Sequence, residues 1–87
     1  MTHRFLSRAE EKLLRCLLAF YRDIGPGATP GLSGLDDEAG LERHELEEAV
    51  RGLRAKGFIE YWELQPAVRL SEPGLRLAVS FEGDGKG

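Results

Sequence analysis

An α+β fold, with three to four helices and a short two-stranded hairpin, is predicted by three observations. A helical period gives way to a strand pattern across Lys56-Gly57. A Ser-x-x-Glu spacing opens a leucine-rich segment at Ser7, and a Gly/Pro-rich stretch from Gly25 to Gly34 divides the two halves. The 87 residues fit one domain, expected over residues 1–82 with residues 83–87 as a flexible polar tail.

Ser7-Arg-Ala-Glu10 has capping-box spacing, in which each side chain satisfies a free backbone N–H, so a helix is expected from there to about Asp23. Leu13, Leu14, Leu17, Leu18, Tyr21 and Ile24 form its apolar face, while Arg8, Lys12, Arg15 and Arg22 lie on the wet side. Phe5, Leu6 and Phe20 widen the apolar coverage. They suit either a homodimer through the first helix or closure of both flanks over the hairpin.

From Gly25 to Gly34, prolines remove donors and glycines carry a high ordering cost, so this stretch is expected to be a loop with Leu32 tucked under it. Ser33 is expected to cap a short second helix over Leu35-Asp-Asp-Glu-Ala39, whose early acids suit the positive end of the helix dipole, and Gly40 supplies a turn. Leu46, Ala49, Val50 and Leu53 then recur at helical spacing. Gly57 ends that helix, with Arg54 and Lys56 near its carbonyl-rich end. Phe58 to Leu64 and Ala67 to Leu70 are expected as strands separated by Gln65 and Pro66. Farther on, Leu75, Leu77, Val79 and Phe81 alternate as in a strand, while Leu75, Ala78 and Val79 also satisfy helical spacing.

The order Leu35-Asp-Asp-Glu-Ala-Gly40-Leu41, amphipathic helix, Gly57-Phe-Ile, Val68-Arg-Leu-Ser and Gly74-Leu-Arg-Leu-Ala resembles winged helix-turn-helix domains of the MarR and PadR regulator type. The resemblance covers roughly residues 7 to 80. It implies a short helix, a turn, a recognition helix, a β-wing and a closing helix capped by Ser71. It further implies a small DNA-binding protein of the transcriptional-regulator kind. Arg43, His44, Arg51, Arg54 and Arg69 would then contact phosphates or bases of double-stranded DNA, with Lys56 a weaker candidate. In a dimer the recognition helices would lie about 34 Å apart to meet successive grooves.

Charge opposes that implication. The net charge is −3, and four of the seven exposed recognition-helix positions (Glu42, Arg43, His44, Glu45, Glu47, Glu48 and Arg51) are glutamates. Arg43 with Glu47, Glu47 with Arg51 and His44 with Glu48 have the spacing of i, i+4 pairs, as expected of a solvated, self-paired face. The competing expectation is a protein-interaction module without DNA binding, which docks a protein of the transcription or replication machinery. It would use the acidic helix and a hairpin patch of Tyr61, Trp62, Leu64 and Pro66. Either Ile59 and Tyr61, or Phe58, Trp62 and Leu64, face inward; in the second case Trp62 packs on the first helix.

Other classes find little support. No apolar run approaches the roughly 20 residues of a membrane span, and the opening residues lack a secretory pattern, so no membrane partner and a cytoplasmic location are expected. One cysteine, Cys16, and two histidines are too few for a structural zinc site, so neither metal nor cofactor is expected. Asp36 and Asp37 diverge on a helix and no nucleophile, base and orienting group can be assembled, so the chain is not read as an enzyme.

Overall fold

In the computed structural model, which describes residues 6–25 and 29–86 and side chains as far as Phe81, the first helix opens at the predicted cap. The Ser7 N–H donates to Glu10 Oε1 at 2.8 Å and the Glu10 N–H donates to Ser7 Oγ at 3.0 Å. Helix α1 (Arg8–Ile24) follows and buries Leu13, Leu14, Leu17 and Leu18. Leu6 is buried and Phe20 half-buried against this same core, so the apolar surplus read as a pairing surface is partly consumed within the chain. Phe5 lies outside the described residues. Ile24, expected on the apolar face, is instead exposed, because it is the last residue of the helix and extends past the packed layer.

The Gly/Pro stretch is more than a spacer. Gly31 forms an isolated antiparallel bridge with Ala67; the Leu32 N–H donates to the Pro66 carbonyl at 3.0 Å and the Val68 N–H to the Pro30 carbonyl at 3.1 Å. Both prolines serve as acceptors here, and the bridge occupies an edge that would otherwise present unpaired backbone groups. Helix α2 (Leu35–Ala39) is preceded by Gly34 at φ 83°, with no side-chain cap. Ser33 therefore does not cap it: the helix starts one residue too late, and the cap position requires a left-handed backbone that glycine adopts freely.

Helix α3 (Arg43–Lys56) opens with the Glu42 N–H donating to Glu45 Oε1 at 2.9 Å and buries Leu46, Ala49, Val50 and Leu53. It closes on Gly57 at φ 82°. The Gly57 N–H reaches the Arg54 carbonyl at 3.1 Å and the Phe58 N–H the Leu53 carbonyl at 3.0 Å, which is the paired geometry of a Schellman motif. Strands β1 (Ile59–Trp62) and β2 (Ala67–Leu70) pair antiparallel, with Tyr61 opposite Val68 and Glu60 opposite Arg69. The strands are shorter than expected at the tip, because Glu63 to Pro66 form the turn and Phe58 precedes the ladder.

Ile59 and Val68 are buried and Tyr61 and Leu70 half-buried, so these four form the inner face; Trp62 stands on the outer face and does not complete the core against α1. Helix α4 (Glu72–Lys86) resolves the competing periods in favour of helix, burying Ala78 and Phe81. Ser71 Oγ accepts from the Gly74 N–H at 3.2 Å and donates to the Gly57 carbonyl at 2.6 Å, tying the two helix ends together. The helix continues through residues 83–86 of the segment read as a tail.

Across the seam between α1 and α3, Lys56 Nζ lies 2.7 Å from Glu10 Oε1, and Glu10 is only 5% exposed. Gly52 sits directly under the Glu10 carboxylate, where a Cβ would collide with it. Lys56, expected as a weaker DNA contact, is thus paired across the seam with the carboxylate of the neighbouring helix. Four helices and a two-stranded antiparallel sheet establish the α+β class, in an order compatible with a winged helix. Among the described residues, no helix is long and apolar enough to cross a membrane, and no group of three or more His, Cys, Asp or Glu could hold a metal.

Candidate functional site

The outer side of α3, the hairpin and the segment around Gly31 to Ser33 enclose an open cleft of about 710 Å³. Leu32, Leu46, Val50 and Tyr61 supply apolar lining, and Pro66 closes the hairpin end. Three arginines (Arg43, Arg51 and Arg54) and three carboxylates (Asp36, Glu47 and Glu63) also line it, so the cleft is amphipathic with balanced formal charge. Helical spacing places Arg43, Glu47, Arg51 and Arg54 along one ridge of α3, beside the buried stripe whose Leu46 and Val50 also line the cleft.

Three of the five predicted DNA contacts are therefore brought together. His44 is exposed outside the cleft, with Nδ1 3.5 Å from Glu42 Oε1. Arg69 stands on the outer hairpin face, ion-paired to its cross-strand neighbour Glu60, with its guanidinium 5.3 Å from the centre of the Trp62 ring. Its place on the hairpin face turned away from the cleft keeps Arg69 apart from the other three.

The proposed protein-docking quartet is divided. Tyr61 and Pro66 line the cleft, whereas Trp62, 42% exposed, belongs to the other face of the hairpin and Leu64, 100% exposed, projects at the turn. Strand alternation forces the split, since neighbouring residues point to opposite sides. Tyr61, Trp62, Leu64 and Pro66 are not one patch.

The expected self-pairing of α3 does not occur. Among the described residues neither Arg43 nor Arg51 pairs with Glu47, and His44 turns to Glu42 instead of Glu48. Glu11 with Arg15 and Glu72 with Arg76 do pair at this spacing, at 3.0 and 3.1 Å; such exposed pairs gain only about 0.3–0.5 kcal/mol, so either outcome costs little. Arg54 differs: its guanidinium lies 5.0 Å from the Tyr61 ring centre and its Nη1 3.6 Å from Glu63 Oε2. Sequence reasoning missed Glu63 and Asp36 as cleft residues, because their approach to α3 depends on how hairpin and α2 fold back, and no linear spacing carries that information.

Away from the cleft, burial pushes the Cys16 thiol above its ordinary value and nearby Glu38 adds to the effect. This is the environment of a protonated, half-buried thiol and not of an activated nucleophile. In comparisons with known proteins, no family model, no curated protein and no solved structure matches the chain.

Proposed function

We propose that the chain is a small winged-helix protein that docks double-stranded DNA, with α3 as the helix offered to the groove and the hairpin as the flanking wing. The observation that carries this reading is the state of Arg43 and Arg51: among the described residues neither has an ion-pair partner, although Glu47 stands between them at favourable spacing. Free guanidinium groups on one ridge of a helix, beside a hairpin, suit the recognition of regularly spaced phosphates and of guanine edges. The order of elements and the resemblance to MarR and PadR domains support the same reading.

Binding to a random duplex at about 20 mM salt, followed by titration to about 200 mM, tests it. Affinity should fall steeply with salt, and Arg43→Gln or Arg51→Gln should each reduce the log–log slope by about one. A protein that shows no affinity even at the low-salt end is not a groove binder.

One observation favours a second reading. Leu64 is fully exposed and Trp62 nearly half-exposed on the outer hairpin, the kind of aromatic and apolar pair that anchors protein contacts. On that reading the partner is a protein of the transcription or replication machinery. Trp62 is the only tryptophan, so its fluorescence reports docking directly when purified polymerase subunits are titrated in. An unchanged spectrum at saturating partner removes this alternative.

A further inference from the structure

We propose that Glu63 is an internal competitor for the DNA backbone, occupying Arg54 until a phosphate displaces it. The inference deepens the DNA reading above and rests on it. Arg54 rises from the cleft side of α3 with its guanidinium over the Tyr61 ring, 5.0 Å from its centre, and its Nη1 toward Glu63. Glu63 reaches that guanidinium from the hairpin turn, on the opposite side of the cleft, so the pair spans the cleft from helix to hairpin.

The spacing sets the strength. At 3.6 Å between Nη1 and Oε2, with both side chains largely exposed, the pair neutralises Arg54 without forming a close hydrogen bond. A phosphate can engage two guanidinium N–H groups at once at shorter range, so it outcompetes this carboxylate. Arg43 and Arg51, which have no such competitor, provide the initial attraction, and Arg54 joins only when Glu63 has been displaced. The outer pair of Arg69 with Glu60 plays no part in this, since it lies on the hairpin face turned away from the cleft.

The test is a double-mutant cycle on duplex affinity using wild type, Glu63→Gln, Arg54→Gln and the double variant, with circular dichroism confirming that all four remain folded. Glu63→Gln should tighten binding roughly two- to fivefold, the range expected for release of an exposed pair, and should steepen the salt slope by up to about one. In the Arg54→Gln background that gain should vanish. A gain that persists without Arg54 would show that Glu63 acts only as a general negative charge, and the inference would be overturned. The absence of any gain in the presence of Arg54 would overturn it too. If neither wild type nor Glu63→Gln binds duplex at low salt, the DNA reading itself falls and takes this inference with it. Wild-type binding without coupling between the two positions removes the inference alone.

Discussion

The two sides of α3 treat charge in opposite ways. On the inner seam, Glu10 and Lys56 come from segments 46 residues apart and meet at 2.7 Å, with Gly52 making room for the carboxylate. On the outer ridge, Arg43, Glu47 and Arg51 stand at ideal helical spacing and do not pair. Spacing brings charges within reach but does not by itself decide whether they pair: Glu11 with Arg15 and Glu72 with Arg76 do so on exposed helix faces at that same spacing. At the seam the buried Glu10 carboxylate has few other partners and holds Lys56, whereas on the ridge solvent screens each charge and side-chain entropy opposes order, so pairing there is worth little either way.

The sharpest way to break this contrast is to remove what holds the seam closed. Leu53, 0% exposed, sits on the buried stripe of α3, and Leu53→Ala should cost about 2–5 kcal/mol in chemical denaturation. A loss below about 1 kcal/mol would mean that the stripe is not the spine of the fold.

Gly52→Ala should come next. Alanine favours helix by about 1 kcal/mol, yet its Cβ would displace Glu10 from Lys56, so the net loss should be about 1–2 kcal/mol. With Glu10→Ala present the obstacle is gone, and the same Gly52→Ala change should turn stabilising by up to about 1 kcal/mol. Thermal melts of the four combinations decide it: additive effects would show that the seam has no steric coupling.

On the ridge, Glu47→Ala should leave stability within about 0.5 kcal/mol of wild type. A larger loss would reveal pairing that the structure does not contain. The smallest effect should come from Cys16. Its raised value means that folding favours the protonated thiol; this contribution is complete below its ordinary value of 9.0 and is lost as pH rises through the folded-state value. Alkylation near pH 8 should be slower than for an open thiol, with full reactivity on unfolding; equal rates in both states would contradict the burial.

Much of the architecture was legible in the linear chain. The capping box at Ser7 and Glu10, the stripe through Leu46 and Leu53, and the stop at Gly57 are local signals, because they depend on residues three to six apart. The site was legible only in part. Arg43, Arg51 and Arg54 share one ridge by helical period alone, but Arg69 and Trp62 were assigned to surfaces they do not share, since register across the hairpin determines which face each one takes.

Local periodicity and capping chemistry thus determined that α3 exists, where it ends and which stripe it buries. Tertiary structure alone decided that Glu10 meets Lys56, that Glu63 reaches Arg54, and that Gly31 borrows the free edge of β2. Helix and turn signals act within a few residues, where chain connectivity holds the partners close. Pairing of distant charges and strand edges depends instead on how whole elements pack, because only the packed arrangement brings those groups within reach of one another.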